Sequence, residues 1–191
     1  MDLVPTPSQT VGPFFHFCLT NEGCCVGCIA GPRVRGERVS LKVRVVDGNG
    51  EAVPDAMIEI WQANSEGKYN HPDDAQQKTI EPDFLGFGRM GTAENGICEF
   101  ETIKPGNVPG PGNVPQAPHL NVAVFARGML RQLYTRIYFA GDEANQEDAV
   151  LAQVPLDRRE TLMARPDAPG SGRWRCDIKL QGEGETVFFD V

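Results

Sequence analysis

Between residues 40 and 47, Leu41, Val43 and Val45 alternate with Lys42 and Arg44. A two-residue period of this kind is satisfied by a half-buried strand and by no helix. Gly48-Asn49-Gly50 follows, a turn whose residues accept positive φ, and residues 56–62 then set Ile58 and Ile60 against Met57, Glu59 and Trp61. The spacing predicts a hairpin. Further strands are expected over 88–92, 97–103, 120–127, 132–139, 174–180 and 186–190. Eight short strands separated by Gly and Pro turns confine the chain to an all-β sandwich or barrel, and a β-sandwich of mostly antiparallel strands is the reading adopted.

Two stretches depart from that period. Residues 142–153 and 156–164 carry Leu, Val and Ala at near-helical spacing among helix formers, so a short helical insertion is expected before the last hairpin. Residues 105–118 hold five prolines and three glycines in fourteen positions, a loop rather than a regular element. With no repeat or linker, the 191 residues read as a single domain. Within it, 1–39 form an N-terminal arm and Cys-rich connection and 40–191 the sandwich core.

Charge narrows the partners. A net charge of -8 argues against nucleic acid, which leaves a basic footprint, and against anionic membrane surfaces. No apolar run approaches the roughly 20 residues of a membrane span, and Met1-Asp2-Leu3-Val4-Pro5 has no secretory pattern. A cytoplasmic protein is expected. Four of the six cysteines, Cys18, Cys24, Cys25 and Cys28, crowd into one Gly-containing connection. Four thiolates there could hold zinc or an iron-sulfur cluster. The vicinal Cys24-Cys25 step and the single segment do not suit the usual spacing, so reduced loop thiols are the plainer reading.

His119 and Asn121 lie two apart at the entrance to the apolar run 122–125, and strand side chains two apart share a face. Two histidines there would make a metal clamp; asparagine is a poor transition-metal ligand. The pair reads as a metal site half erased. Other donors are scarce, because the chain has only three histidines and three tyrosines. Tyr134 and Tyr138 sit on an expected strand and suit core or interface roles. Tyr69 follows a Gly turn in a polar loop, where functional residues gather. No nucleophilic triad order, phosphate loop, zinc-protease helix or dinucleotide fingerprint is present.

The residues Thr6-Pro7-Ser8-Gln9-Thr10-Val11-Gly12-Pro13-Phe14, Asp47-Gly48-Asn49-Gly50, Ile60-Trp61-Gln62-Ala63-Asn64, Phe87-Gly88-Arg89, Thr102-Ile103-Lys104-Pro105-Gly106, Ala117-Pro118-His119 and Arg136-Ile137-Tyr138-Phe139 resemble the intradiol ring-cleavage dioxygenases. The closing run from Gln181 to Asp190 is similar to alpha-type chains of the branch that cleaves protocatechuate. The resemblance spans nearly the whole chain. It implies a β-sandwich assembled with a homologous beta subunit, in which the beta chain holds ferric iron on two tyrosines and two histidines. Protocatechuate and O2 would be the substrates of the complex.

Transferred position by position, the resemblance leaves that iron set incomplete. Tyr69 matches the first tyrosine and His119 the first histidine, whereas Val108 and Asn121 stand where the other two ligands would be. The resemblance therefore implies no iron on this chain and no catalysis by it alone. It further implies that Gly12, Pro13, Phe14 and Arg127 lie near the partner's pocket, Arg127 facing the substrate carboxylate. Two alternatives stand beside this reading. One is a self-sufficient dioxygenase with an altered iron site, which needs further oxygen ligands near Tyr69 and His119. The other is a non-catalytic β-sandwich binding module.

Overall fold

A computed structural model of the chain describes residues 12, 14–110, 112 and 114–190. The described strands are β1 (Arg38–Val46), β2 (Met57–Trp61), β3 (Phe87–Gly91), β4 (Ile97–Ile103), β5 (Val108–Pro109), β6 (Pro115–Gln116), β7 (His119–Phe125), β8 (Leu133–Phe139), β9 (Met163–Pro166) and β10 (Arg173–Lys179). A short helix, α1 (Phe15–Leu19), precedes them. Eight strands form one sheet in the order β3-β2-β7-β8-β9-β10-β1-β4. The β1–β10 and β8–β9 pairs are parallel and the others antiparallel.

The sheet folds over so that its two halves face each other as a sandwich. Val39, Leu41, Val43 and Val45 of β1 and Phe100 of β4 pack in one apolar cluster with Ile58 and Ile60 of β2, Leu120, Val122 and Val124 of β7, and Ile137 of β8. Their alternate neighbours point outward, as a period of two demands. Gln62 is buried at the join, donating from Nε2 to the Ile103 carbonyl at 3.0 Å and accepting from Thr102 Oγ1 at 2.6 Å. A buried amide satisfied on both ends fixes how the halves meet.

The edge strands β3 and β4 are joined by the Cys-rich connection. Val26 exchanges backbone hydrogen bonds with Arg89 of β3 at 2.8 and 3.0 Å; Ile29 N–H donates to the Glu101 carbonyl of β4 and Glu101 N–H to the Gly27 carbonyl, both at 2.8 Å. This strap covers two sheet edges that would otherwise invite pairing with other chains. Gly88 permits its close approach, because a Cβ there would lie 2.7 Å from Ile29 Cγ1. The cysteines are free. Cys25 Sγ lies 3.3 Å from the Thr20 carbonyl and Cys28 Sγ 3.5 Å from that of Ala30, and among the described residues no three His, Cys, Asp or Glu side chains converge as metal donors.

Four local expectations are corrected. β1 and β2 are not a hairpin: the turn forms, with Asp47 N–H donating to the Glu51 carbonyl at 2.9 Å. The chain then crosses at Asp55, φ 56°, to the opposite half, because the apolar faces of both strands must meet across the core. The helical insertion is three 3-10 turns, Glu143–Gln146, Leu151–Gln153 and Arg159–Leu162, and the end of the second expected helical stretch is β9, which bridges the two halves. Residues 186–190 form no regular strand; they return along β8 with one bridge, Tyr134 to Phe189. The proline-rich 105–118 loop contains the small β5–β6 ladder, in which Val108 pairs with Gln116.

Candidate functional site

The outer face of β2, β7 and β8 gathers most of the donors singled out in the sequence. Register places Trp61 beside Asn121 and Asn121 beside Arg136, and His119 beside Tyr138. The remaining residues arrive on two loops that Asn64 holds together. Its Oδ1 accepts from Glu66 and Lys68 N–H, both at 3.0 Å, while its carbonyl accepts from Gly67 at 3.0 Å and from Gly106 at 2.9 Å. Gly67, φ 78°, presses so closely on the second loop that a Cβ would fall 1.8 Å from the Asn107 carbonyl oxygen. Only glycine meets both demands. The clasp sets Tyr69 and Val108 at neighbouring places, both lining a hollow with Trp61.

Tyr69 stacks on Trp61, with centroids 5.8 Å apart and planes at 11°. Its hydroxyl accepts from Asn121 Nδ2 at 3.1 Å. Burial raises the phenol above its ordinary range, while the Asn121 bond and the Arg136 charge oppose that rise. His119 is 3% exposed. Its Nδ1 lies 2.7 Å from the Ala117 carbonyl, which can only accept, so the proton sits on Nδ1 and Nε2 carries a lone pair. That Nε2 is buried and has no hydrogen-bond partner among the described residues. Burial first, then the Arg136 charge, lowers the imidazole to about 4.

Arg136 is the cation common to these groups, and sequence reasoning gave it no role. Its Nη1 donates to Gln116 Oε1 at 2.7 Å and to the Tyr138 hydroxyl at 3.3 Å. Tyr138 is fully buried, its phenol pushed up to about 12 chiefly by burial, and it lies 3.2 Å from Asp148 Oδ1. Asp148, also missed, accepts in addition from Ala117, Val150 and Leu151 N–H at 2.8, 2.9 and 2.7 Å. Both were readable in hindsight. Arg136 stands between Tyr134 and Tyr138 at outward strand positions, and Asp148 precedes a turn in the N-cap manner.

A ferric ion does not fit this set. His119 Nε2 is suitably bare, yet Tyr69 is held by an amide donor, Val108 is apolar and a guanidinium places its fixed charge nearby. Two donors, one of them anionic at most, cannot balance ferric charge against that cation. Among the described residues no three His, Cys, Asp or Glu side chains converge here to complete the set that the self-sufficient reading requires.

Gly12, φ 75°, and Phe14 lie at the entry to the described chain, Phe14 exposed and stacked on Phe17 at 5.9 Å; Pro13 and the motif from Thr6 to Val11 lie outside the described residues. Arg127 is surface-exposed and pairs with Asp55 through Nη2 at 2.8 Å. It stands apart from the Tyr69–His119 face.

The family model described as Dioxygenase matches residues 26–182. The chain is 41% identical to the protocatechuate 3,4-dioxygenase alpha chain of Pseudomonas putida, over 100% of this chain and 98% of that one. The chain belongs to the intradiol dioxygenase family. It is also 35% identical to the protocatechuate 3,4-dioxygenase beta chain of Burkholderia cepacia, over 94% of this chain and 77% of the relative. An intradiol ring-cleavage dioxygenase from Tetranychus urticae shares the fold at TM-score 0.64 and 21% identity, covering 93% and 94% of the two chains. Intradiol dioxygenases are iron-dependent enzymes, and alpha and beta chains both occur among the relatives. Among the described residues, no helix of this chain is long and apolar enough to cross a membrane.

Proposed function

We propose that the chain is the alpha-type subunit of a protocatechuate 3,4-dioxygenase, supporting cleavage at a ferric site held by a homologous beta subunit. The observation that carries this is the Asn121 amide bonded to the Tyr69 hydroxyl at 3.1 Å, beside an apolar Val108. A chain with this repacking retains the sandwich of an intradiol enzyme without the donors for its metal. The reaction joins both atoms of O2 to the ring as it opens between its hydroxyl-bearing carbons, giving 3-carboxy-cis,cis-muconate. The partner's iron would supply binding of the catechol oxygens and activation of the ring.

This chain's own contribution is to the walls and charge of the partner's pocket. Gly12-Pro13-Phe14 would supply a close, stiff wall and Arg127 a guanidinium for the substrate carboxylate. Exposed Phe14, Phe17, Leu130 and Leu156 supply apolar surface suited to a permanent partner. The test is expression in iron-replete medium, alone and with the beta chain. Alone, the protein should be colourless and hold far less than one iron per chain; together, the two should co-purify one to one with the visible absorption of tyrosinate bound to iron. Stoichiometric coloured iron in the isolated chain would overturn the reading, as would a monomer that ignores the beta chain in size-exclusion experiments.

A further inference from the structure

The outer face of β2, β7 and β8 also bounds a hollow of about 480 Å³ that the proposed role leaves unused. Its volume is that of a small-molecule site. Trp61, Phe87, Tyr134 and Phe189 give it aromatic walls, and Asn121 and Arg136 contribute polar groups from neighbouring strands. Two carboxylates, Glu59 and Asp190, also reach it. Glu59 is neutralised by Arg89, whose Nε donates to Glu59 Oε1 at 2.7 Å; Asp190 is directed to solvent and lies 3.4 Å from Arg131.

Arg136 is different. It is partly buried, and among the described residues it forms no ion pair; its hydrogen bonds run through Nη1 to the neutral Gln116 and Tyr138. A guanidinium carries five donors in a planar fork shaped for a carboxylate. Its nearest carboxylate, Asp148, is reached only through the Tyr138 hydroxyl, and a partly desolvated cation with no ion pair of its own, set in an aromatic hollow, is a group whose partner is a ligand.

We propose that this face is a metal-free binding site for a small aromatic carboxylate, its acid group held by Arg136 and its ring between Trp61 and the other aromatic walls. The aromatic walls select the planar ring. The guanidinium, which has no direct ion pair among the described residues, selects the acid over its amide. The occupant is thereby a monocarboxylate of benzoate size, and the site's role is binding without turnover. The proposal rests on the subunit reading only in that the sample is the alpha–beta complex. The iron and co-purification measurements decide that reading separately.

The probe is 4-hydroxybenzoate, which lacks the second ring hydroxyl needed for cleavage, titrated calorimetrically into the anaerobic complex. Two molecules should bind per alpha–beta pair, one at the iron site and one here. Arg136→Gln should abolish the second, weakening it at least tenfold, while Arg136→Lys retains part of it. The neutral 4-hydroxybenzamide should miss this site in the unaltered protein. One-to-one co-purification and unchanged oxygen uptake with protocatechuate would show that Arg136→Gln has spared assembly and the partner's site. If that variant fails to assemble, Phe87→Ala at the rim of the hollow serves in its place, with the same expected loss of the second molecule. One molecule per pair in the unaltered complex, as when a segment of the beta chain fills the hollow, would overturn the proposal. So would two molecules bound equally well by the Arg136→Gln protein.

Discussion

Replacing Asp148 by alanine should cost more stability than any other single polar change near the site. The carboxylate is fully buried and accepts from four donors: Ala117, Val150 and Leu151 N–H at 2.8, 2.9 and 2.7 Å and the Tyr138 hydroxyl at 3.2 Å. Three of those donor residues, Ala117, Tyr138 and Leu151, are themselves buried, so water cannot take the place of the lost acceptor. At about 1–2 kcal/mol, the lower part of the usual cost, for each of the three buried donors left unsatisfied, the loss is roughly 3–6 kcal/mol. Unfolding entropy for a chain of this length is about 0.4 kcal/mol per degree, so the melting temperature should fall by about 8–15 °C.

Asp148→Asn keeps one oxygen for the three donors on Oδ1 but turns an amide toward Ala117 N–H, and should cost about half as much. Tyr138→Phe removes the donation to Asp148 and the longer bond from Arg136 and should cost about 1–2 kcal/mol. Calorimetric melting of the purified complex at fixed scan rate separates the three variants. A loss below about 1 kcal/mol for the alanine variant, or equal losses for alanine and asparagine, would refute the account of Asp148 as the acceptor that organises this corner.

Gly67→Ala should destabilise by about 2 kcal/mol or more, since φ 78° and the Asn107 carbonyl both oppose a side chain; wild-type melting would place the two loops farther apart than described. His119 is neutral in the fold and titrates near 4, below the roughly 6.5 of an unfolded histidine. The stability it confers is therefore present above pH 6.5 and is lost as pH falls from 6.5 to 4, by roughly 3 kcal/mol in all. His119→Gln should flatten that part of the stability profile in urea titrations, and an unchanged slope would count against burial of the neutral ring. Arg127→Ala should lower kcat/KM for protocatechuate roughly tenfold in oxygen-uptake assays, the small end of a charge-assisted bond because Asp55 shares the guanidinium. Catechol, without the carboxylate, should lose much less; equal losses would assign Arg127 to assembly.

The strand period carried most of the fold. β4 falls at the expected residues 97–103, and β1, β7, β8 and β10 within two residues of theirs, because one buried face per strand writes itself into every second position. Pairing partners are a different kind of information. β1 lies beside β10 and β4, contacts distant in sequence that no local period records, and so the expected β1–β2 hairpin failed although its turn was read correctly. β9 was hidden for a related reason. With only Met163–Pro166 to show, it spans no more than two periods, and the residues before it form 3-10 turns whose composition mimics a helix.

The site divides along the same line. The spacing of His119 and Asn121 on one strand was visible locally, and the resemblance supplied Tyr69 and Val108. Arg136 became meaningful only when register set it opposite Asn121. On the reading proposed above, in which Val108 and Asn121 stand at two former ligand positions, that juxtaposition would explain how the sandwich persists. The Asn121 amide donates to the Tyr69 hydroxyl. The Arg136 guanidinium bridges Gln116 and Tyr138 and lowers both Tyr69 and His119 by its charge, so the neighbourhood keeps a cation without an ion. Restoring histidine at position 121 alone would therefore strip Tyr69 of its donor and set a second imidazole against a guanidinium. Recovery of a metal site would require removing Arg136 as well, because the charge that stabilises the altered arrangement is the charge that repels the metal.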